Sequence, residues 1–371
     1  MGPYEEDPKL QEFIRLYKQV KDNYVDPISS EELLNSAMKG MVSRLDLYSH
    51  VFVGQKEVQE VIGQLRGRNY VGIGISVIVV SGDTYVTEAF EGYAADTSGI
   101  KAGDMIVEIE GVVIKGMAEN KIRSLISAGE EGTIITIKTR GFQSDTITTH
   151  SVIRESVRIN SVVYKDLADN ISYIKIREFG EEAALQFRTV LTGSANKDGL
   201  IIDLRNNLGG FSDIAVEIVS CFIGPNKTAA LVAERDRIRK SRLTPQTSVI
   251  FPRPPKVVIL ANKYSASASE LMLGSLKYYG LATFIGETTY GKGVFQHRIN
   301  VNNPQQFPDK HTSLLLDVTA GHYYLPDGTD IHGVGINPDI KVEQPNDFRA
   351  YDYLTEKDAQ FQAALKFLKN R

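Results

Sequence analysis

The second half of the chain alternates short apolar runs with segments of helical spacing. The predicted strands cover 172–176, 199–204 and 256–260, and the predicted helices cover 183–191, 213–222 and 269–279. Strands and helices that alternate in this way build an open α/β sheet, in which ligands bind beyond the carboxyl ends of the strands. The sequence therefore predicts an α/β core whose functional residues lie in the loops that follow its strands.

Residues from about 70 to 147 show shorter β-type runs broken by glycine. Predicted strands cover 71–80, 84–87, 104–109 and 133–138, a predicted helix covers 119–127, and a helical turn covers 94–98. This order, with the strings Gly99-Ile-Lys-Ala-Gly-Asp104 and Ile109-Glu-Gly111, resembles that of a PDZ domain. PDZ domains bind a peptide C-terminus as an added strand and hold its carboxylate on N–H groups of a glycine loop.

The PDZ resemblance places the carboxylate-binding loop at four consecutive residues. They are Val71, Gly72, Ile73 and Gly74. The alternative is that these glycines only allow tight turns.

The apolar residues near both ends of the sequence are spaced as in helices. Leu10, Phe13 and Ile14 belong to one apolar set at helical spacing, a second set follows Ser30, and Asp26-Pro27 separates the two. Such a helical arm packs either on its own chain or on a partner, and we expect a homodimer formed through the terminal helices. Residues 357–368 predict a further amphipathic helix.

Composition argues against several function classes. The 371 residues carry 42 Lys and Arg against 46 Asp and Glu, so there is no large positive field and nucleic acid is not an expected partner. The single cysteine, Cys221, lies in an apolar helical pattern and is predicted to be a buried small hydrophobe. The sequence contains no His-Glu-x-x-His motif and no cysteine pair, so no metal or cofactor is expected.

Targeting signals are also missing from the sequence. No run approaches the roughly 18 to 20 apolar residues that span a bilayer. Met1-Gly-Pro-Tyr lacks the basic and apolar regions of a signal peptide. We expect that a native leader has been trimmed away.

The loop Asp203-Leu-Arg-Asn-Asn-Leu-Gly-Gly210 lies between a predicted strand and a predicted helix. Two adjacent glycines let the backbone turn its N–H groups outward, and the helix N-terminus adds positive potential. Such a loop suits an oxyanion hole. The alternative is a plain strand-to-helix turn in which Arg205 pairs with a structural acid, and the motif alone favours that alternative.

Serines and a lysine follow the next predicted strand, in Ser265-Ala-Ser-Ala-Ser-Glu270 and Tyr290-Gly-Lys-Gly-Val-Phe-Gln296. Small neighbours leave a serine hydroxyl accessible on a strand-to-helix turn. A neutral lysine can deprotonate a serine if burial lowers its pKa, and a neutral glutamine can orient the amine without stabilising its charge. On spacing alone, a solvated lysine in a glycine turn is the commoner interpretation, and three serines remain candidates.

Two other kinds of site fit this region less well. Residues 286–292 match a phosphate-binding P-loop except for its last place, where Gly293 replaces the Ser or Thr that would hold magnesium, and the following residues predict a strand instead of a helix. A Ser/His/Asp triad would need a histidine. The histidines in the α/β region, which we interpret as structural or exposed, are His297, His311, His322 and His332.

Four motifs in this order resemble those of the carboxyl-terminal processing proteases, also called tail-specific proteases, peptidase family S41. The first three are Gly199–Gly210, which extends the glycine loop, Ser265–Glu270 and Tyr290–Gln296. The fourth is Tyr324-Leu-Pro-Asp-Gly-Thr-Asp-Ile-His-Gly-Val-Gly-Ile-Asn-Pro-Asp339. The resemblance covers nearly the whole chain. It implies an α/β multidomain protein: a helical arm at 1–52 that is a possible dimerisation element, a PDZ domain at 53–150, a protease core of the crotonase-like or ClpP-like type at 151–345, and a helical tail at 346–371.

The resemblance also implies a serine endopeptidase acting on protein or peptide substrates with accessible C-termini. By match to the family motif, Ser267 is the nucleophile, Lys292, 25 positions later, is the base, and Gln296 orients the lysine. The oxyanion donors that it implies are the N–H groups of Ala268 and Gly210. Ser265 and Ser269 then have structural roles.

The chain departs from the family pattern at two positions, because Leu47 and Leu208 stand where proline is usual. The Leu208 change is expected to loosen the oxyanion loop. The resemblance further implies action outside the cytoplasm, in a bacterial envelope, periplasm or cell surface, and gating of the core by tail binding to the PDZ domain. The non-enzymatic alternative is a catalytically silent peptide-binding scaffold, although the chain retains all three residues of the Ser/Lys/Gln arrangement.

Overall fold

The computed structural model describes residues 7–65, 70–80, 82–141, 146–158, 160–236, 238–245, 255–309, 311–349 and 352–370. The helices are α1 Pro8–Asn23, α2 Ser30–Val42, α3 Gln55–Leu65, α4 Ala94–Thr97, α5 Glu119–Ser127, α6 Ala183–Gly193, α7 Ser212–Ile223, α8 Ala268–Tyr278 and α9 Ala359–Lys369. The strands are β1 His50–Val53, β2 Tyr70–Gly72, β3 Ile75–Val80, β4 Asp83–Ala89, β5 Met105–Ile109, β6 Val112–Val113, β7 Ile134–Arg140, β8 Ile147–Ile153, β9 Glu155–Val157, β10 Val162–Asp166, β11 Ile171–Ile176, β12 Gly199–Asp203, β13 Thr228–Ala233, β14 Lys240–Leu243, β15 Lys256–Ala261, β16 Ala282–Gly286, β17 Val294–Asn300, β18 Leu314–Tyr324 and β19 Ile340–Lys341.

The described residues form two compact units. The first consists of the described parts of Met1–Gln64, Ala233–Ile238 and Val294–His322, and the second consists of the described parts of Leu65–Val232, Arg239–Gly293 and Tyr323–Arg371. The α/β core and the glycine-rich β region both belong to the second unit.

The core is a six-stranded sheet in the order β10-β11-β12-β15-β16-β19. All neighbours are parallel except β10 and β11. Helices α6, α7 and α8 pack on one face, through Phe187, Val219 and Met272, while Phe361 of α9 packs on the other. A parallel sheet covered on both faces needs strands that are aliphatic throughout, and all five residues of β12 are buried. The predicted α/β core is confirmed.

A second sheet, in the order β3-β4-β5-β7-β8, has its own core of mainly isoleucine and valine side chains. Inward and outward residues alternate in β7, where Ile135 and Ile137 are buried. Strand β3 forms one edge of this sheet, and helix α5 packs beside it. Buried Arg154 donates from Nε to the carbonyl oxygen of Ile126 at 2.9 Å, which satisfies the end of α5.

The first unit is built around antiparallel pairing of β18 with both β1 and β17. Val58 and Ile62 of α3 pack on Leu315 of β18. Helix α1 begins at the cap Asp7, whose carboxylate accepts the N–H of Lys9. None of its residues is buried, so the apolar face of α1 is exposed.

Two predictions about single features can be compared with the structure. Cys221 is fully buried in α7, as predicted, and burial raises the pKa of its thiol to about 11. Among the described residues, no helix combines the length and the apolarity needed to cross a bilayer.

Candidate active site

Ser267 lies at the turn between β15 and α8, where it is the N-cap of the helix. Its φ of 57° is in the left-handed region, which residues other than glycine rarely adopt and which is concentrated at functional sites. The side chain of Ser267 is half-buried, whereas Ser265 and Ser269 are each 1% exposed. The turn therefore exposes the middle serine of the cluster and no other.

The serine loop, residues 262–267 between β15 and α8, is held against the loop that follows β12 by the two flanking serines. Ser265 Oγ donates to the carbonyl oxygen of Leu204 at 2.8 Å and accepts the N–H of Asn262 at 3.0 Å. Ser269 Oγ donates to the carbonyl oxygen of Asn207 at 2.9 Å. Hydroxyls in buried hydrogen bonds to the backbone are structural groups.

Gly209 and Gly210 lie beside the serine loop. A β-carbon added to Gly209 would lie 2.8 Å from Cβ of Ser267 and 3.1 Å from the backbone nitrogen of Ala268, so only glycine fits there. Gly210, with φ 138°, pairs with Phe179. Within the described residues, the backbone N–H groups of Ala268 and Gly210 have no hydrogen-bond acceptor.

Asn207 fixes the shape of this glycine loop. Its buried side chain donates from Nδ2 to the carbonyl oxygen of Ile176 at 2.8 Å and accepts the N–H of Gly209 on Oδ1 at 2.9 Å. Its own carbonyl oxygen accepts the N–H of Ala266 at 3.0 Å. The loop is thus anchored to β11 on one side and to the serine loop on the other.

Arg205 pairs with structural acids, as one of the sequence interpretations predicted. The guanidinium is 1% exposed and makes a two-pronged contact with Asp203, through Nη2 to Oδ2 at 2.6 Å, and a second contact with Asp358 at 2.7 Å. Burial alone would raise the pKa of Asp203, but Arg205 outweighs burial and the pKa of Asp203 is lowered. The glycine loop beside Arg205 remains available for other chemistry.

Glu270 is a residue whose role the sequence motifs did not predict. Its carboxylate has no exposed surface. Oε2 accepts the N–H groups of Ser267 and Lys292, both at 2.9 Å, while Oε1 accepts the hydroxyl of Thr289 at 2.6 Å and the N–H of Gly291 at 2.7 Å. One carboxylate therefore joins the serine loop to the lysine loop, residues 287–293 between β16 and β17. The spacing Ser267-x-x-Glu270 is that of a capping box, which is the signal that points to it.

Lys292 and Gln296 lie in different units of the chain. Lys292 is half-buried, in the loop after β16, and its backbone is held next to that of Ser267 by Glu270. Gln296 lies on β17 and donates from Nε2 to Thr319 Oγ1 at 3.1 Å. Its orientation towards Lys292 stays a prediction.

The competing sites have less support. The residues after Lys292 form strand β17, not the helix that a P-loop requires. The four histidines His297, His311, His322 and His332 are exposed, as predicted. No group of three or more His, Cys, Asp or Glu among the described residues is placed to hold a metal ion.

The predicted peptide loop is only partly a loop, because Val71 and Gly72 belong to β2, which pairs with β9, and only Ile73 and Gly74 lie between β2 and β3. Gly74 has φ 79°, and a β-carbon there would lie 2.3 Å from Cβ of Tyr93, so this position requires glycine. Its carbonyl oxygen accepts the N–H of Phe90 at 2.8 Å. The N–H groups of Ile73 and Gly74 donate to no other described residue.

A half-buried serine on a strand-to-helix turn, beside a glycine loop and in a chain with a PDZ-like β domain, is typical of an α/β core of the serine peptidase type. Residues 170–342 match the family model of peptidase family S41, and residues 60–139 match that of the PDZ domain. The chain thus carries a peptidase family S41 domain and a PDZ domain. The resemblance to carboxyl-terminal processing proteases is confirmed.

Relatives and solved structures agree with this assignment. A probable CtpA-like serine protease of Staphylococcus aureus is 31% identical over 341 residues, 91% of this chain, and the chain spans 65% of that relative's length. A putative S41 protease of Bacteroides fragilis has a TM-score of 0.60 at 16% identity, with 93% of this chain and 91% of that one covered. A photosystem II D1 C-terminal processing protease has a TM-score of 0.52 at 21% identity, with 93% and 96% covered.

Proposed function

We propose that this protein is a serine endopeptidase that recognises the C-terminal tails of proteins through its PDZ domain and cleaves them with Ser267, Lys292 and Gln296. The observation that carries the proposal is the shared carboxylate of Glu270, which holds the half-buried Ser267 in a left-handed turn next to the backbone of Lys292. A nucleophile and its base must be close before a proton can pass between them.

The chemistry uses groups already described. Lys292 takes the proton of Ser267 Oγ as that oxygen bonds to the peptide carbonyl carbon, and the developing oxyanion accepts the N–H groups of Ala268 and Gly210. The C–N bond then breaks, and the proton passes from Lys292 to the leaving amine. Water attacks the acyl-enzyme in the same way, which releases the acid and restores the serine.

Gln296 completes the arrangement by orienting the lysine. Its Nε2 is engaged with Thr319, so the amide oxygen is directed away from that bond. An amide oxygen accepts from an amine without adding charge, and it therefore does not hold the lysine in its protonated form.

The PDZ domain binds the tail of the substrate. Edge strand β3 offers backbone groups to an added strand, and helix α5 packs beside it. The N–H groups of Ile73 and Gly74 donate to no other described residue, and they donate hydrogen bonds to the terminal carboxylate of the tail.

Tail binding gates the core, and Arg177 supports this part of the proposal. Its guanidinium pairs with Glu88 and lies 5.3 Å from the ring centroid of Phe90, both from the PDZ region. Arg177 also lines a cleft of about 290 Å³ together with Gly209 and Gly210. A change at β4 can thus reach the oxyanion loop through a single side chain.

Several further features belong to the same proposal. The core is of the crotonase-like or ClpP-like type, and the domains follow the boundaries predicted above. Helices α1 and α2 form an arm through which two copies associate. The protein acts outside the cytoplasm, which fractionation of cells expressing its full-length gene product would test: recovery with cytosolic markers alone would contradict it.

The test of the function is cleavage of an unfolded protein with an apolar C-terminal tail, with products mapped by mass. We expect cleavage by the wild type and none by Ser267→Ala or Lys292→Ala, whereas a matched surface change, Lys277→Ala, retains activity. Cleavage by Ser267→Ala would contradict the nucleophile. Tail binding by the wild type with no cleavage would instead indicate the silent scaffold.

A further inference from the structure

The segment between β19 and α9 passes close to the loop that follows β12. Tyr353 accepts on its hydroxyl oxygen a hydrogen bond from Asn206 Nδ2 at 2.8 Å. Asn206 is separated from the Gly209–Gly210 pair by only two residues. A side chain far along the chain thus contacts the loop that carries one of the two oxyanion donors.

The ring of Tyr353 is held in place by its surroundings. The Arg205 guanidinium carbon lies 4.6 Å from the ring centroid, and the Phe348 ring meets it edge-on with centroids 5.1 Å apart. Arg205 is itself fixed by Asp203 and Asp358. The hydroxyl of Tyr353 therefore has a defined position, set by contacts other than the one it makes to Asn206.

The backbone of Asn206 is in the left-handed region, with φ 63°, which asparagine adopts more readily than most residues. Its N–H donates to Asn262 Oδ1 at 3.1 Å, and its Oδ1 accepts Asn262 Nδ2 at 2.9 Å. Asn262 belongs to the serine loop, so Asn206 is tied to that loop on one side and to Tyr353 on the other. Within the described part of the chain, the Tyr353 hydroxyl is the acceptor for Nδ2 of Asn206. Removing that hydroxyl leaves Nδ2 to solvent.

We propose that Tyr353 is a positioning residue for the oxyanion loop and that it acts through Asn206. The inference rests on the proposed function, because it assigns a role in stabilising the intermediate formed on Ser267. An oxyanion donor is effective only when it is fixed before the reaction, and small displacements cost much of its effect. The segment before α9 is then part of the catalytic apparatus, although it contributes no group that touches substrate.

The test is Tyr353→Phe, which keeps the ring on Arg205 and removes only the hydroxyl. We expect kcat to fall about tenfold with KM changed by less than about twofold, since one hydrogen bond to a positioning group is lost. The second probe is a peptide boronic acid built on the mapped cleavage site, whose tetrahedral adduct places a hydroxyl in the oxyanion hole. The affinity for this boronic acid is expected to fall by the same factor as kcat. Affinity for the unreactive product peptide is expected to stay unchanged.

The control is Tyr164→Phe. The hydroxyl of Tyr164 also makes a hydrogen bond, to Asp166 at 2.6 Å, but on strand β10 and away from the oxyanion loop. A second variant, Asn206→Ala, also removes the contact with Asn262 and is expected to lower kcat at least as much as Tyr353→Phe. The double variant is expected to lose no more than Asn206→Ala alone.

The outcomes separate this inference from the function on which it rests. Unchanged kcat and boronate affinity in Tyr353→Phe, with Ser267→Ala inactive, would overturn the inference and keep the function. Equal losses in Tyr164→Phe, or a Tyr353→Phe loss that adds fully to that of Asn206→Ala, would reduce Tyr353 to a structural residue. A wild type that cleaves no tailed substrate would overturn both.

Discussion

At the scale of single residues, the buried carboxylate of Glu270 joins the loop of Ser267 to the loop of Lys292. Four donors converge on its two oxygens, and three of them are backbone N–H groups. The first turn of a helix also favours a negative charge. A neutral isostere would therefore test both the hydrogen bonds and the charge.

Glu270→Gln replaces one accepting oxygen by an amide nitrogen that faces N–H donors. Each unsatisfied buried donor costs about 1 to 3 kcal/mol, so we expect the free energy of unfolding in urea to fall by about 2 to 4 kcal/mol, with loss of peptidase activity. The exposed Glu343→Gln is the control. Wild-type stability and activity in Glu270→Gln would show that the shared carboxylate is dispensable.

Glu178, in the cleft beside Gly209, gives a prediction about pH. Burial raises the pKa of its carboxyl, and the hydroxyl of Ser161 and the charge of Arg177 offset this only in part. A raised carboxyl pKa favours the folded state below the unfolded pKa, and that stability is lost as pH rises through the folded pKa. The ionised form therefore destabilises the fold at neutral pH.

Glu178→Gln removes this titration without changing the shape of the side chain. We expect the variant to melt at a higher temperature than the wild type near pH 8 and at about the same temperature near pH 3.5. The exposed neighbour Glu181→Gln is the matched control. A stability difference that does not depend on pH would contradict the assignment.

At the scale of elements, the glycine loop after β12 has the least tolerance for change. A β-carbon on Gly210 would lie 2.5 Å from the carbonyl oxygen of Phe179, at a φ that other residues rarely adopt. Gly210→Ala is expected to lower kcat at least about 100-fold because the oxyanion donor moves. Gly193→Ala, at the end of α6 with no atom within 4 Å of the new carbon, is expected to retain full activity. Equal activity of both variants would exclude Gly210 from the site.

The elements also differ in how far the sequence predicts them. The strands predicted at 172–176, 199–204 and 256–260 correspond to β11, β12 and β15. The second and third are mainly aliphatic runs, and 172–176 combines isoleucine with tyrosine, residue types that favour strands. The sequence does not predict β18 as one strand, since Thr319 and Gly321 interrupt its apolar alternation. Pairing with β1 and β17, which comes from distant parts of the chain, supplies what local pattern lacks.

The same reasoning applies to the candidate site. Ser267 and Lys292 are predicted through the family resemblance, which depends on motifs that are contiguous in the sequence. The partners of Glu270 lie up to 22 positions away, and Tyr353 lies 147 positions from Asn206. Contacts over such separations leave no periodic trace in a single sequence, so only the folded structure brings them into view.

At the scale of the whole molecule, Arg177 of the α/β core contacts Glu88 and Phe90 of the PDZ region, and the proposed gating runs through this side chain. We expect Arg177→Ala to reduce the ratio of cleavage rates between tailed and untailed substrates towards one, because the contact with Glu88 and Phe90 is lost. Arg188→Ala, which breaks a pair with Glu217 between α6 and α7, is the control. A ratio unchanged by Arg177→Ala would exclude this side chain from the coupling.

Helix α1 offers an apolar face for association of two copies. Leu16 lies at the edge of that face, one turn after Phe13, and is 62% exposed, and Leu185 on α6 has the same exposed fraction. We expect Leu16→Glu to shift the mass measured by sedimentation equilibrium from dimer to monomer, whereas Leu185→Glu leaves it unchanged. A monomeric wild type, or a dimer unaffected by Leu16→Glu, would contradict association through the arm.

The pair between Arg205 and Asp358 also bears on how the protein is made. Asp358 lies 153 positions after Arg205, so at about 5 to 20 residues per second it leaves the ribosome roughly 8 to 30 s later. A buried cation without one of its partners is strongly destabilising, and α9 is not yet present to cover its face of the sheet. Nascent chains thus contain the serine and the lysine while the core is still open. The six-stranded sheet therefore gains the cover of α9, and Arg205 its second carboxylate partner, only after residue 358 has been synthesised.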